Sequence, residues 1–426
     1  MANKAFFLCL LAAGAAFGEV KTMTLREAID LALKQNPDLM LARLDQVKAR
    51  QQVSIARDPF VPKVFAGSGA AWTSGFPANV EGQAPSILQA QTKWTLFDRS
   101  QNYKVAQARE DARTSEIDSS KRQDEVVYRV AALFLDAEQA AESHESAQKE
   151  AENLARVLEL VQARVEEKRA LHIEASQANL ALQKAKNAVE ALALDSINAE
   201  TSLALALGLE PDDRVRAARE ERTPLILPAS EDQSITEAIE NNRDLKRLES
   251  QMQSKTLEIK GYKAERLPKV DAIAQYELFA KYYYQNYFTT FQRNSGQLGA
   301  SITVPVLVGK TARAYISQAD ADIAKMRIEV NNTRARITAD LRRAFQEVKK
   351  ADSAREYAKA DLDLAREQLS VDLAQNNEGR LPMATLEQAR AMENDKWLAY
   401  YEAQHAADVA RLNVLRQTGT LQAALK

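Results

Sequence analysis

Cysteine and histidine are almost absent from this chain of 426 residues, which has one cysteine, Cys9, and three histidines. The histidines (His144, His172 and His405) lie far apart, so they lack the spacing of a metal site. No glycine-rich loop follows a strand-like segment, which argues against a nucleotide site. Serine, histidine and aspartate form no recognisable nucleophilic arrangement. The sequence therefore predicts no enzyme activity, no cofactor and no metal.

Excess charge and long apolar runs are also missing. The formal net charge is −2, so nothing indicates a nucleic-acid partner. The main apolar run, Ala5–Ala13, follows Lys4 and precedes the small-residue segment Ala16–Gly18. This pattern predicts a signal peptide over residues 1–18, and the run is too short to cross a bilayer as a helix. We expect an exported protein with no later transmembrane helix.

One long stretch, residues 86–207, contains neither glycine nor proline. A single helix of that length would span about 160 Å, so the chain must fold back. Its apolar residues recur every 3.5 positions, as in a coiled coil. The two runs are Ala151, Leu154, Leu158, Val161 and Val165, then Ala178, Leu182, Ala185, Val189 and Leu192. They fall out of phase between Val165 and Ala178, which predicts a hairpin with a first helix of about 70 residues and a return half as long.

The chain repeats itself once. Asn36-Pro37-Asp38-Leu39 returns 206 residues later as Asn242-Arg243-Asp244-Leu245, and Gln177-Ala178 returns 211 residues later as Gln388-Ala389. Likewise, the capping-box spacing at Thr24 returns at Ser234. We predict repeats at residues 19–209 and 230–426, joined by a linker at residues 210–229. Each repeat should contain a helix, two strands, a long helix and a return helix.

The predicted strands alternate apolar and polar residues, as transmembrane barrel strands do. The lipid-facing positions would be Leu88, Trp94 and Leu96 in the first repeat and Leu298, Ile302 and Val304 in the second. A soluble sheet with one buried face shows the same alternation. An aromatic loop at residues 282–288 favours the membrane interface.

Four strands are too few for a membrane barrel. An open sheet in lipid leaves unpaired backbone groups, and bacterial barrels begin at about eight strands. Two copies would give eight strands with little lumen, whereas three would give 12 and an open pore. The strand count therefore predicts a homotrimer.

The mature sequence resembles the TolC family of outer-membrane efflux proteins. The resemblance rests on the duplication, the opening from Thr24 to Pro37, the strand exit Leu96-Phe97-Asp98 and the segment from Glu378 to Ala389. It implies a mainly α fold of long coiled-coil hairpins with four transmembrane strands per chain, forming a trimeric 12-stranded barrel and a helical tunnel. It also implies an exit duct for efflux or type I secretion in the outer membrane, extending into the periplasm. An inner-membrane transporter and a periplasmic adaptor would be its partners.

The resemblance also implies two functional regions. The adaptor-docking hairpin tips are Lys168, Arg169, Ala170 and Leu171 in the first repeat and Gly379, Arg380, Leu381 and Pro382 in the second. The family usually has glycine where Lys168 stands, so we expect a more helical first tip. The tunnel constriction corresponds to Thr385, Glu387 and Gln388. Arg380 would bridge to a neighbouring helix or remain in solvent.

Two other functions fit parts of the sequence. A periplasmic coiled-coil scaffold or adaptor would account for the helices but not for the alternating strands. A self-sufficient porin would account for the strands but not for the long hairpins.

Overall fold

The structure, a computed structural model, describes residues 20–68, 86–218, 226–228, 230–279, 294–306 and 309–425. The predicted signal peptide and the aromatic loop at residues 282–288 lie outside these ranges. The helices are α1 (Leu25–Gln35), α2 (Pro37–Arg57), α3 (Arg99–Glu166), α4 (His172–Leu207), α5 (Glu231–Asn241), α6 (Arg243–Ala264), α7 (Thr311–Asn377), α8 (Met383–Thr418) and α9 (Leu421–Ala424). The strands are β1 (Val20–Met23), β2 (Val64–Gly67), β3 (Ser86–Phe97), β4 (Arg214–Ala217), β5 (Lys269–Phe279) and β6 (Asn294–Thr303).

The predicted long hairpin is confirmed. Helix α3 has 68 residues and its return, α4, has 36, while α7 and α8 repeat the arrangement with 67 and 36 residues. Both return helices end at a glycine with positive φ, Gly208 at 82° and Gly419 at 74°. Glycine suits this left-handed position because it has no Cβ to clash with the preceding turn.

One predicted helix cap is confirmed and its repeat is wrong. At Thr24 the hydroxyl accepts from the Glu27 amide at 3.2 Å, and the Glu27 carboxylate accepts from the Thr24 amide at 2.9 Å. Helix α5, however, begins one turn before Ser234, with Ser230 as its N-cap. The buried Ser234 hydroxyl instead donates to the Ser230 carbonyl at 2.8 Å. Acidic residues in the first turn favour the earlier start because they stabilise a helix N-terminus.

The chain forms two compact units. The first comprises residues 20–41, 121–242 and 335–425 and is mainly helical. Its largest core cluster joins Phe134 of α3, Leu203 and Leu207 of α4, and Leu412 and Leu415 of α8. The parallel pair of β1 and β4, which the sequence analysis did not predict, places Val215 in the same core.

The second unit comprises the described residues within 42–120 and 243–334 and holds a four-stranded antiparallel sheet in the order β2-β3-β5-β6. The predicted strand pairs from the two repeats are therefore hydrogen-bonded to each other through β3 and β5. Within the described ranges, no helix is both long enough and apolar enough to cross a membrane.

Candidate functional site: two hairpin tips and a two-faced sheet

The first hairpin tip is a tight turn between α3 and α4. The Lys168 amide donates to the Val165 carbonyl at 3.0 Å, and the Arg169 amide donates to the Arg164 carbonyl at 2.7 Å. This pair of bonds closes the helix end in a Schellman-type turn. Lys168 consequently adopts φ = 59°, the left-handed conformation that normally favours glycine.

The second tip has the same closure. The Gly379 amide donates to the Asn376 carbonyl at 3.0 Å, and the Arg380 amide donates to the Gln375 carbonyl at 2.9 Å. Gly379 has φ = 73° and lies 211 residues after Lys168, the repeat offset. The expectation of a more helical first tip is therefore wrong. Lysine can adopt the left-handed conformation at a cost of about 1 kcal/mol, so glycine is not required for this turn.

Each tip carries an exposed arginine paired with a nearby glutamate. Arg169 lies 3.0 Å from Glu167, and Arg380 lies 3.2 Å from Glu378. All four side chains are more than half exposed, so these pairs contribute little to stability. The Arg380 guanidinium is thus paired within its own turn, and its predicted bridge to a neighbouring helix stays a prediction.

The other predicted tip residues differ in exposure. Leu171 and Pro382 are exposed, whereas Ala170 and Leu381 are partly buried. The Leu381 carbonyl accepts a hydrogen bond from the Asn376 side chain at 2.8 Å. This bond holds the backbone just before α8 against the end of α7. The eight predicted docking residues therefore form two separate turns with the same backbone and different side chains.

The three predicted constriction residues follow the second tip on α8, but they face different surroundings. Thr385 and Gln388 are exposed, whereas only 17% of the Glu387 side chain is exposed. Both Glu387 carboxylate oxygens are buried, and among the described residues they have no hydrogen-bond partner; the Arg390 guanidinium lies 4.0 Å away. In this single chain, Glu387 is therefore directed into the helical unit. A tunnel constriction here stays a prediction.

Burial changes the protonation of Glu387. Removal from water raises the pKa of this carboxyl to about 7; Arg390 opposes the shift and the nearby Glu150 carboxyl adds to it. Burial also raises the pKa of Glu150, on α3, against the effect of Arg390. Sequence reasoning missed Glu150, because it is distant in sequence from α8. The contact between Glu387 and Arg390 could be predicted from the sequence, because residues three apart on a helix are neighbours.

One face of the sheet is mainly polar and the other is mainly apolar. Directly paired residues in a sheet project to the same side. On the polar face, Asp271 accepts from Thr95 at 3.0 Å and lies 3.4 Å from the Lys93 ammonium. Glu277, farther along β5, accepts from Gln89 at 3.0 Å and from Gln275 at 2.6 Å. The polar groups therefore bond to one another across β3 and β5.

The predicted lipid-facing residues occupy the apolar side with two differences in detail. Leu88, Trp94, Leu298 and Ile302 fit the register of the apolar face. A register shift between Thr95 and Phe97 leaves Leu96 unpaired, and Phe97 takes the place opposite Val270. Val304 lies just past the end of β6. Exposure is 86% at Leu298 and 69% at Ile302, so this face is uncovered in the single chain.

Long paired helical hairpins together with a four-stranded, two-faced sheet define the fold class of outer-membrane channel proteins. A solved membrane protein from Pseudomonas aeruginosa matches 93% of this chain and 93% of its own, with a TM-score of 0.75 and 17% identity. The CmeC outer membrane channel of Campylobacter jejuni matches 93% of this chain and 86% of its own, with a TM-score of 0.73 and 15% identity.

The sequence comparisons identify the family. The model of the outer membrane efflux protein family matches residues 28–209 and 234–420, one match in each half of the chain. The chain therefore belongs to the outer membrane efflux protein family. Protein CyaE of Bordetella pertussis is 24% identical over 346 residues, covering 78% of this chain and 71% of that protein.

Proposed function

We propose that three copies of this chain form an exit duct in the outer membrane, used for tripartite efflux or for type I secretion. The observation that carries the proposal is the four-stranded sheet. In the described ranges β2 pairs only with β3 and β6 only with β5, so both sheet edges are open. Open edges in lipid are costly, and three copies would join their edges into a 12-stranded barrel.

Exposed apolar residues on the helices support the trimer. Leu180 and Leu194 are 14 residues apart on α4, and Tyr357, Leu364 and Val371 are spaced by seven on α7. Apolar residues that are exposed at heptad positions are typical of coiled-coil surfaces that pack against a further helix. In a trimer, neighbouring copies would cover them and so form the wall of a helical tunnel in the periplasm.

The two tips would dock a periplasmic adaptor, and an inner-membrane transporter would supply the energy. The exposed Arg169 and Arg380 support this assignment, because their weak pairs within the turns leave them accessible to a partner. The duct itself performs no chemistry. Its lipid contacts would be the apolar face of the sheet, and its aqueous wall the polar face around Asp271 and Glu277.

Export by the native host tests the docking assignment. Arg380→Glu and Leu381→Glu should abolish ethidium efflux or, where the wild type shows none, the release of secreted polypeptides. Detergent-extracted particles should keep their wild-type mass. Lys350→Glu is the matched control, because Lys350 is 79% exposed on α7 away from the tip. Normal export by both tip variants would contradict docking and favour a self-sufficient porin. Recovery of the protein in the soluble fraction would favour a periplasmic scaffold.

A further inference from the structure

The residue at the apex of the first hairpin tip, Lys168, is unfavourable for the stability of its own turn. Lys168 is the one non-glycine residue with positive φ in the described part of the chain. The equivalent place in the second tip holds Gly379, with the same closing hydrogen bonds. Glycine would adopt this conformation without strain, so the lysine side chain is retained at a cost. Sequence choices that oppose local stability are expected at functional sites.

The next helix begins at a residue whose side chain cannot cap it. Leu171 is the N-cap of α4, in extended conformation, and it provides no side-chain hydrogen bond. Serine, threonine, aspartate and asparagine are strongly preferred there, because their oxygens accept from free backbone amides. Leu171 is instead 67% exposed, and Ile173 in the following turn is 59% exposed. Two large apolar side chains thus project from an apex that has no core to bury them.

Most other charged groups at this tip have an opposite charge or a hydrogen-bonding group nearby. Arg169 pairs with Glu167 at 3.0 Å, and the Glu174 carboxylate accepts from the Leu171 amide at 3.3 Å. Arg164 and Glu166, both exposed at the end of α3, carry opposite charges. Among the ion pairs found in the described residues, none includes the exposed Lys168 ammonium. A cation therefore stands beside exposed apolar side chains at the apex.

We propose that Lys168, Leu171 and Ile173, here called the first-tip surface, dock an acidic amphipathic element of the partner. That element would place a carboxylate opposite the Lys168 ammonium and an apolar side chain against Leu171 and Ile173. Burial of the apolar pair supplies affinity, and the charge pair supplies specificity. The inference rests on the proposed function, because the partner is the adaptor that docks the tips. Gly379 offers no side chain, so the second tip must be recognised differently.

The test compares charge and strain at Lys168 in the full-length protein in its native host. Lys168→Arg should keep export within about twofold of wild type, because it keeps the charge. Lys168→Gln should lower the export rate about threefold and Lys168→Glu about tenfold, since a close charge pair at an interface is worth a kilocalorie or more. Lys168→Gly should lower it like glutamine although it relieves the backbone strain. Ethidium efflux, or secreted polypeptide in the medium, is the readout.

Controls separate this inference from the docking proposal itself. Lys149→Glu makes the same change at a site that is 70% exposed on α3 and should export normally. If Arg380→Glu abolishes export but every Lys168 variant exports like wild type, the first-tip surface is wrong and the docking proposal stands. If Arg380→Glu, Leu381→Glu and Lys168→Glu all export normally, both fail.

Suppressors of Lys168→Glu identify the chemistry of the partner. We expect second-site changes that replace an acidic residue of the partner by lysine or arginine, because reversing both charges restores the attraction. Leu171→Ser should also reduce export and should not be rescued by those suppressors. Suppressors confined to this chain, with none in a partner, would overturn the proposal.

Discussion

The first and second hairpin tips close with the same two backbone hydrogen bonds, yet Lys168 stands at the apex of one and Gly379 at the apex of the other. Behind the apex they differ again. Ser176, exposed on α4, occupies the repeat position of Glu387, which is buried on α8. The end of a long helix and its closing hydrogen bonds therefore determine the turn, whichever residue stands at the apex. The side chains at and behind the apex can therefore differ between the two tips and make different contacts.

The return helices show the same divergence in their buried charges. Glu200 of α4 has a side chain only 3% exposed and lies 2.9 Å from Arg216 and 3.9 Å from Arg214. The equivalent residue of α8 is Arg411, which is 12% exposed and lies 2.7 Å from Asp352. One repeat therefore buries an anion between cations and the other buries a cation beside acids. The common requirement is compensation of a buried charge.

The largest effect is expected when that compensation is removed. The double variant Arg214→Ala, Arg216→Ala removes both cations that pair with the buried Glu200 carboxylate among the described residues, which should lower the free energy of unfolding by about 3 kcal/mol. Denaturant unfolding of the detergent-extracted protein measures it. Adding Glu200→Gln to the double variant should recover most of the loss, because the buried charge is then gone. An unchanged midpoint in the double variant would contradict the role assigned to this cluster.

An effect no larger than the first should come from pH at Glu387. Its pKa is raised to about 7 from an ordinary value of 4.5, so the folded chain binds more protons than the unfolded chain between these values. The free energy of unfolding should fall as pH rises through this window, by at most roughly 3 kcal/mol, and the stabilisation should be fully present at pH 4.5 and below. Thermal unfolding from pH 4 to 8 measures the effect.

Glu387→Gln should make that profile shallower, because the amide does not ionise, while the Glu150 carboxyl, whose pKa burial also raises, still contributes. Glu378→Gln is the matched control at the neighbouring exposed glutamate, which is 58% exposed, and it should leave the profile unchanged. A profile with the same slope in Glu387→Gln and wild type would show that another group titrates.

Substitutions at the two apex residues, Gly379 and Lys168, should change the free energy of unfolding in opposite directions. Gly379→Ala places a Cβ in open space but in the left-handed conformation, so it should lower the free energy of unfolding by about 1 kcal/mol. Lys168→Gly should raise it by a similar amount. Amide hydrogen exchange at Arg169 and Arg380, which form the closing bonds, measures each turn separately. Equal effects of the same sign would refute the strain assigned to Lys168.

The smallest effect is expected at the exposed ion pairs. Arg169→Ala and Arg380→Ala should each change the free energy of unfolding by less than about 1 kcal/mol, because exposed pairs gain little in water. Denaturant midpoints measure this. A loss well above that value in either variant would mean that the pair holds the turn together and is not free for a partner.

Long-range pattern predicted most of the fold. The 3.5-residue repeat of apolar residues and the absence of glycine and proline predicted α3 and its return α4. Such a repeat is easy to recognise when it extends over many helical turns. Alternation predicted the two faces of β3 and β6, although the bulge at Leu96 was missed, since a single extra residue leaves little trace in an alternating pattern. The short pair of β1 and β4 has too few residues to show a period at all.

The candidate site was less predictable. The positions of the tips followed from the repeat offset, but the conformation of Lys168 did not, because closing bonds overrode its intrinsic preference. The cap at Ser234 failed because Ser230, one turn earlier, competes for the same role. The burial of Glu387 beside Glu150 depends on the packing of α3 against α8, which no local pattern encodes.

The number of chains in the membrane-extracted particle tests the central claim most directly. Full-length protein taken from the outer-membrane fraction in mild detergent should have the mass of three chains. The described residues of each copy supply four strands with two open edges, and further copies would be needed to close the sheet. A soluble monomer or dimer would contradict the shared barrel and with it the exit duct.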